Sequence, residues 1–234
     1  MRSIALISLL SVLSACSGRT SDTPTRGDLA DATPNYDPSI ISVPFLVDDH
    51  FIPSGCMGDC TASVSIDGDC PERSSAGAQG QCHHFVYTLN TAPGALGWAG
   101  VLWQTVEQNW GSEPGRTIAP GATQLTFSGK AVGSSAALNI LVGALSPDDA
   151  GKACKMASGC ASLSCVDGAC AAPHRDTLDL TQSEVLTSTA WTPFQISFGN
   201  ASYGSELMSG FGWTAVMPPQ TTKIEFYVDD LRWE

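Results

Sequence analysis

Residues 223–233, KIEFYVDDLRW, decide the fold of this chain. Apolar and polar side chains alternate along this stretch, which predicts a β-strand, because successive side chains of a strand point to opposite faces. Three apolar residues share one face: Ile224, Phe226 and Val228. Leu231 and Trp233 continue the apolar set on the other face, so either both faces of the strand are covered or a β-bulge falls at Asp229-Asp230. A bulge there would turn two carboxylates towards one point.

The rest of the folded part repeats this pattern in shorter runs. No stretch keeps apolar residues at helical spacing for three turns, whereas short alternating runs recur between clusters of Gly, Pro, Asn and Asp. The runs expected to be strands are 42–47, 85–89, 98–104, 124–128, 137–142, 177–180, 194–198, 212–217 and 223–233. Such a series of short strands predicts an all-β fold, a two-sheet antiparallel sandwich, in one domain of residues 41–234.

The first residues resemble the signal peptide of a bacterial lipoprotein. The motif Leu13-Ser14-Ala15-Cys16 follows an uncharged apolar segment, residues 4–12, and is similar to the lipobox of Gram-negative lipoproteins. The apolar segment is too short to span a bilayer, which favours a signal peptide over a transmembrane helix. A plain secretory peptide with a chance cysteine is the alternative.

The lipoprotein resemblance implies a membrane anchor. Residues 1–15 would be removed, and Cys16 would carry several acyl chains, such as palmitate, each adding about 0.8 kcal/mol per buried CH₂. Ser17 after the cysteine favours the cell outer membrane over the inner membrane. Residues 16–40 are rich in Thr, Asp, Pro and Gly, so we expect a disordered tether between the anchor and the folded domain.

The charge of the chain excludes one class of partner. A net charge of −12 with only 11 Lys and Arg leaves no basic surface of the kind that nucleic-acid binding requires. It also argues against an electrostatic hold on anionic lipid. We therefore expect no nucleic-acid partner, membrane contact through the lipid anchor alone, and a monomer.

Nine cysteines become eight once the predicted lipidation site is set aside. An exported chain lies in an oxidising compartment, so four disulfides are expected. The cysteines form two local groups of four: Cys56, Cys60, Cys70 and Cys82, then Cys154, Cys160, Cys165 and Cys170. Spacing does not decide the pairing within a group, and zinc is the alternative for each. The second group lies in residues 146–173, which we interpret as a disulfide-rich surface insertion.

Two stretches resemble the galactose-binding-like family of jelly-roll domains, which includes many carbohydrate-binding modules. One is residues 226–233, with an aromatic-hydrophobic-Asp-Asp-aliphatic ending. The other is residues 97–103, GWAGVLW, followed by NWG at 109–111 and IAPGA at 118–122. The resemblance covers about residues 42–234 apart from the insertion, and it implies a jelly-roll β-sandwich.

The same resemblance implies a structural calcium ion between the first and last strands. Its ligands would be Asp229 and Asp230, with Asp48 or Asp49 and nearby carbonyl oxygens. Calcium binds six to eight oxygen atoms and tolerates the irregular geometry of a bulge beside a loop. The alternative is that these acids simply end strands in solvent.

Tryptophans supply the candidate ligand surface. Trp110 lies in the polar, glycine-flanked stretch 107–114, where an indole ring could cover the CH face of a sugar while amides pair with its hydroxyls. The predicted ligand-binding set is Trp103, Gln104, Asn109, Trp110 and Trp213. Trp191 and Trp233 are assigned to the core, and core packing is the alternative for every tryptophan of the set.

No catalytic motif stands out. The chain has no GxSxG, no HExxH and no paired carboxylates of the glycosidase kind. We therefore expect a non-catalytic outer-membrane lipoprotein that binds polysaccharide. The alternatives are a cell-envelope scaffolding or adhesion protein that binds other proteins, and a polysaccharide hydrolase using Glu107 or Glu113.

Overall fold

The computed structural model describes residues 40–67, 70–145, 164–166, 169–171, 174–187, 190–203 and 206–234. The predicted signal peptide, Cys16 and the predicted tether up to residue 39 lie outside the described residues, as does most of the insertion at 146–173. Among the described residues, no helix has the length and apolar character that crossing a bilayer requires.

Strands dominate the described part of the chain. They are numbered in chain order: β1 Ile40–Ile41, β2 Phe45–Leu46, β3 Ile52–Gly58, β4 Val64–Asp67, β5 His83–Thr88, β6 Trp98–Gln104, β7 Thr117–Ile118, β8 Gln124–Ala131, β9 Ala136–Gly143, β10 Ser164–Val166, β11 Ala169–Ala171, β12 Asp179–Leu186, β13 Thr192–Ser197, β14 Ser209–Val216 and β15 Lys223–Trp233. The helical content is one short helix, α1 Cys60–Ser63, and a 3₁₀ turn at Val47–Asp49.

Two antiparallel sheets form the body of the domain. The five-stranded sheet has the order β12-β9-β14-β6-β3, and the six-stranded sheet has the order β13-β8-β15-β5-β4, with β2 beside the end of β15. The chain crosses from one sheet to the other at most connections, and β2, near the start, pairs with the last strand, β15. This is an antiparallel jelly-roll β-sandwich, so the predicted fold class is confirmed.

The last strand contains the bulge that its side-chain pattern allowed. β15 pairs with β8 as far as Asp229 and resumes at Arg232 after a register shift, and Asp230 has a left-handed φ of 56°. The shift returns Leu231 and Trp233 to the face that carries Phe226, and all three side chains are fully buried. The bulge is therefore the correct one of the two alternatives.

Aromatic rings fill the space between the sheets. Trp213 of β14 lies with its ring centroid 4.9 Å from that of Phe226 and 5.2 Å from that of Phe85. Trp103 of β6 lies 4.8 Å from Phe211 in an edge-to-face arrangement. Burying a side chain of this size stabilises the fold by roughly 1.5–3 kcal/mol, so this cluster is the main stabilising contact between the sheets.

The base of the insertion is closed by Asp176. Its carboxylate accepts hydrogen bonds from the backbone N–H of Leu145, at 2.8 Å, and of Ser209, at 3.2 Å. The Asp176 N–H in turn donates to the Leu145 carbonyl oxygen at 3.1 Å. Burial raises the pKa of Asp176 to about 6 against the opposing effect of these bonds. The two chain segments that lead into the insertion are thus tied to each other and to β14.

Candidate functional site

Two of the predicted ligand residues lie in the core. The side chains of Trp103 and Trp213 are 0% exposed, because the inward face of the five-stranded sheet is covered by the other sheet. The Trp103 Nε1 donates to Asp48 Oδ1 at 3.0 Å. Neither ring offers a face to a ligand, so the prediction that these two tryptophans form a sugar platform is wrong.

Asn109 is buried as well, with an exposed fraction of 1%. Its Nδ2 donates to Thr105 Oγ1 at 3.2 Å and to the Glu113 carbonyl oxygen at 3.0 Å. Its Oδ1 accepts from the backbone N–H of Gly111 and of Glu113, both at 3.1 Å. Each polar atom of the amide is engaged inside residues 105–113, which we call the asparagine loop. Asn109 therefore shapes the loop, and its amide is not available to sugar hydroxyls as predicted.

Gln104 ties the asparagine loop to the sheet. Its Nε2 donates to the Asn109 carbonyl oxygen at 2.8 Å, and its Oε1 accepts from Ser54 Oγ at 3.1 Å. The same Ser54 hydroxyl accepts the backbone N–H of Gln108 at 3.1 Å. Gln104 is 0% exposed, so it too acts as a support of the loop and not as the predicted ligand contact.

Trp110, at the tip of this supported loop, is only partly buried. It packs on a small apolar cluster that is separate from the main core: Leu102, Leu145 and Met208, with Met57 and Leu141 at its edge. Leu102 lies on β6 between residues whose side chains enter the core, so it points away from the six-stranded sheet. Trp110 therefore covers part of the outer face of the five-stranded sheet.

The middle of this outer face lies below its ends, because the strands carry small residues there. Thr214 of β14 lies directly opposite Gly100 of β6 and Asn139 of β9. A Cβ atom on Gly100 would come within 2.7 Å of Thr214 Cγ2, so only glycine fits there. Ser183 of β12 donates its hydroxyl to Asn139 Oδ1 at 2.8 Å. The face thus offers hydroxyl and amide groups on a nearly flat floor.

A second partly buried tryptophan lies at the other end of the floor. Trp98 of β6 is opposite Val216 of β14, whose side chain is 68% exposed. Trp98 and Leu102, the residue beneath Trp110, are four positions apart, which is about 13 Å at the usual rise of a strand. We call the surface from Trp98 across Thr214 and Asn139 to Trp110 the Trp98–Trp110 face.

A cavity of about 500 Å³ borders the asparagine loop on its far side. Glu113 and Arg116 supply charged groups to its wall. Glu107, the other acid of the hydrolase alternative, does not line it. The cavity therefore does not bring those two glutamates to one bond, which a carboxylate-pair hydrolase requires.

The acids predicted to bind calcium are engaged by protein donors. Asp229 is 0% exposed and accepts from Arg73 Nη2 at 2.7 Å, from Arg73 Nε at 3.0 Å and from the Ser74 N–H at 2.7 Å. Burial opposes ionisation of Asp229, but the bonds from Arg73 and Ser74 outweigh it and lower the pKa of this carboxyl. The Arg73 guanidinium thus neutralises the buried charge.

The neighbouring acids have similar partners. Asp48 accepts from His83 Nε2 at 2.8 Å and from the Gln81 N–H at 3.0 Å, while Asp230 accepts from the Gln79 N–H at 3.0 Å. Asp49 is exposed. Within the described ranges, no group of three or more His, Cys, Asp or Glu side chains is arranged to hold a metal ion. The residues present therefore do not fit the calcium ion that the resemblance implies, which needs six to eight oxygen ligands. Calcium binding itself stays a prediction.

The first cysteine group forms two disulfides. Cys56 is bonded to Cys60, and Cys70 is bonded to Cys82, with Cα atoms 5.3 and 5.8 Å apart. Disulfides are therefore confirmed for this group and the zinc alternative is wrong for it. The side chains of the second group lie outside the described residues, although the backbones of Cys165 and Cys170 face each other in the β10–β11 pair.

Of the two tryptophans assigned to the core, one is there and one is not. Trp233 is 0% exposed. Trp191 is only partly buried and lines a cleft with Tyr227, so its assignment to the core is wrong. The signal that could have found this cleft is the parity of β15: Phe226 and Val228 point inward, which leaves the Tyr227 ring on the outer face of the six-stranded sheet.

No protein-family model matches this chain. No curated protein matches it either. Among solved structures, it is similar to a family 11 carbohydrate-binding module from Clostridium thermocellum in complex with a β-1,3-1,4-mixed-linked tetrasaccharide, with 14% identity, a TM-score of 0.37, and coverage of 77% of this chain and 84% of the other.

Two further solved structures give comparable values. The family 11 module of the C. thermocellum cellulosomal cellulase Lic26A-Cel5E has 13% identity, a TM-score of 0.39 and coverage of 81% and 93%. The tandem CBM22-1-CBM22-2 domain of Paenibacillus barcinonensis Xyn10C has 14% identity, a TM-score of 0.36 and coverage of 81% and 43%. At these values the likeness does not identify what this chain binds.

Proposed function

We propose that this protein is a non-catalytic, envelope-anchored lipoprotein that binds polysaccharide on the Trp98–Trp110 face. The observation that supports this most is the way Trp110 is held. A buried asparagine with all its polar atoms engaged fixes the loop, and the loop presents a partly exposed indole above a flat sheet. A ring fixed before binding loses little entropy when a ligand arrives, which favours affinity.

The chemistry of the face suits a sugar chain. The two indoles can stack on the CH faces of sugar rings at either end of the floor, and Asn139, Ser183 and Thr214 offer hydrogen-bonding groups between them. Most of the recognition would therefore come from a rigid surface that moves little on binding.

Anchoring completes the proposal. Cys16 would carry the lipid in the outer membrane, and residues 16–40 would link it to the domain. A flexible linker of about 25 residues would span roughly 25–30 Å on average. The bound polysaccharide would thus be held close to the membrane surface without a direct contact between domain and lipid.

A glycan array with the full chain tests the proposal. We expect wild type to retain at least one polysaccharide, and Trp110→Ala to lose about tenfold or more in affinity for it, since each tenfold corresponds to about 1.4 kcal/mol. Glu107→Ala, an exposed change in the same loop, is the matched control and should bind normally. Retention that is unaffected by Trp110→Ala and Trp98→Ala would contradict the proposal.

The second candidate function is binding of another protein. The same side of the domain exposes apolar residues, because Val216 is 68% exposed and Val185 of β12 is 57% exposed. Exposed apolar residues on one sheet face are typical of protein interfaces. If no polysaccharide is retained, and chemical cross-linking in the intact envelope captures a protein through Val216→Cys, this alternative replaces the first.

A further inference from the structure

A cleft of about 370 Å³ lies on the opposite sheet from the Trp98–Trp110 face. Its walls include the rings of Trp191 and Tyr227, whose centroids are 6.0 Å apart at an angle of 44°. Lys130 and Glu72 supply the charged groups of the wall. Pockets of 300–1,000 Å³ with aromatic walls and a few polar groups are typical of small-ligand sites. We call this site the Trp191–Tyr227 cleft.

The sheet holds one side of the cleft. Tyr227 on β15 is directly opposite Lys130 on β8 and His84 on β5, so the three side chains share the outer face. The His84 ring lies against Tyr227 with centroids 4.7 Å apart, and His84 Nε2 is 3.0 Å from Glu225 Oε1. Tyr227 is therefore supported from its far side and presents its other face to Trp191.

A disulfide-closed loop holds the other side. Glu72 belongs to residues 70–82, which we call the disulfide loop because Cys70 and Cys82 close it. The next residue, Arg73, donates to the buried Asp229 at the β15 bulge, at 2.7 Å. Glu72 in turn accepts from Lys130 Nζ at 2.9 Å. The disulfide loop, which forms this wall, is thus attached to the sheet by two ion pairs, Arg73 with Asp229 and Glu72 with Lys130.

The charges of the cleft indicate what fits. The Lys130 side chain is only 23% exposed and already has a carboxylate partner, while Glu72 is 67% exposed and reaches solvent. An acidic ligand would have to displace that partner and approach a chain of net charge −12. A neutral ligand with adjacent hydroxyl groups can instead donate one hydrogen bond to Glu72 and accept one from Lys130, while its apolar face packs on the rings.

We propose that the Trp191–Tyr227 cleft is a second binding site, for a neutral saccharide unit. The ligand class rests on the proposed function, but the site is separate from the Trp98–Trp110 face. Among the described residues, the buried Trp191 Nε1 has no hydrogen-bond partner, so no hydrogen bond of this ring has to be broken when a ligand binds. Two sites on opposite sheets would let one domain hold two chains, or one chain twice, which raises the overall avidity.

Isothermal titration calorimetry of the full chain in detergent tests this inference. The probes are cellohexaose, xylohexaose and laminarihexaose, with hexagalacturonate as the acidic probe and decaproline as a peptide probe for aromatic grooves. We expect two sites for at least one neutral hexasaccharide in wild type. Trp191→Ala and Glu72→Ala should each remove or weaken one site by about tenfold or more, with the site lost in Trp110→Ala unaffected.

Glu107→Ala is the matched control for Glu72→Ala, because it also replaces an exposed glutamate by alanine but lies outside the cleft, and both sites should bind normally in it. Glu72→Ala changes an exposed side chain, so it tests the cleft even if Trp191→Ala lowers the melting temperature. A single site, lost in Trp110→Ala and intact in both cleft variants, overturns the second site and leaves the proposed function standing.

The remaining outcomes are also decisive. Binding that is lost in Trp191→Ala and kept in Trp110→Ala supports the cleft and overturns the Trp98–Trp110 face. Preference for hexagalacturonate or decaproline in the cleft overturns the ligand class. Absence of any binding by wild type overturns both the second site and the proposed function.

Discussion

Two loops of this molecule each support a candidate ligand surface, but they are held in place by different interactions. The asparagine loop, 105–113, is fixed by neutral hydrogen bonds around a buried amide. The disulfide loop, 70–82, is fixed by a covalent bond and by an arginine on a buried carboxylate. Both place one wall of a candidate ligand surface. The first depends on neutral hydrogen bonds, whereas the second depends on redox state and on charge.

The largest expected effect concerns the covalent bond. Replacing Cys70 and Cys82 together by Ser should lower the free energy of unfolding by about 3 kcal/mol, since this disulfide joins residues with a sequence separation of 12. The matched control is the pair Cys56 and Cys60, whose separation of 4 predicts a loss of about 2 kcal/mol. Urea unfolding of both variants measures the difference. An equal or reversed order would contradict the dependence of the loss on loop length, on which this prediction rests.

The asparagine loop is tested by Asn109→Ala. The change removes the partners of the buried Gly111 N–H and of the Glu113 N–H and carbonyl, which should cost about 2 kcal/mol of unfolding free energy. Because Trp110 would no longer be held in place, glycan affinity should fall as well. Glu107→Ala in the same loop should leave both quantities unchanged. A destabilised variant with full affinity would show that Trp110 does not need this support.

The ion pair of the disulfide loop is tested by Arg73→Met. Asp229 would remain buried without its cation, so we expect a loss of about 2 kcal/mol, below the usual range for a fully buried pair because Arg73 is 39% exposed. Arg232→Met, at the partly exposed Asp230, is the control and should cost less than about 1 kcal/mol. If both variants lose a similar amount of unfolding free energy, the buried Asp229 does not depend on its arginine more than the partly exposed Asp230 does.

The two loops should differ in how the loss of unfolding free energy in their variants depends on pH. The pKa of Asp229 is lower in the folded protein than in the unfolded chain, so its stabilising contribution is present above the unfolded value and is lost as the pH falls through the folded value. The cost of Arg73→Met should therefore shrink in acid, where a protonated Asp229 needs no cation. The cost of Asn109→Ala should not change. Urea unfolding of each variant at pH 3 and pH 7 measures both.

The smallest expected effect is that of chelation. Because Arg73 occupies the position of a cation beside Asp229, EDTA should leave the melting temperature unchanged, and added calcium should not raise it. Differential scanning calorimetry measures the melting temperature in about 5 mM EDTA and in a similar excess of calcium. A clear rise in the melting temperature with calcium would support the calcium site that the jelly-roll resemblance implies.

The sequence pattern predicted the bounds of two interior strands correctly. The expected strands 98–104 and 223–233 have the bounds of β6 and β15, and the bulge was among the stated alternatives. β3 was missed because Pro53 and Gly55 have the composition of a turn, and the strand does shift register between them. Proline and glycine are tolerated there because β3 is an edge strand.

The alternation of side chains along a strand shows which tryptophans share a face, but it does not show which of them are buried. Trp103 and Leu102 lie on opposite faces of β6, and both are buried, because one face meets the other sheet and the opposite face meets Trp110 and its cluster. The sequence pattern grouped Gln104, Asn109 and Trp110 correctly in space. It did not show that two of these three support the third, since that depends on hydrogen bonds across residues 54–113.

Partners distant in the chain were beyond sequence reasoning altogether. Arg73 and Asp229 are separated by 156 positions, and nothing in the residues around either one marks the other. The same holds for Trp191 and Tyr227, which meet because Trp191 precedes β13, and β8 lies between β13 and β15 in one sheet. Local composition indicates a strand or a loop, whereas these pairs follow from the order of strands in the sheet.

The clamp at Asp176 has a practical use in protein engineering. Leu145 and Asp176 are bonded to each other on either side of residues 146–173, so we expect the ends of this segment to stay together when its length is changed. For protein engineering, the same position is a natural graft point for a foreign peptide or reporter.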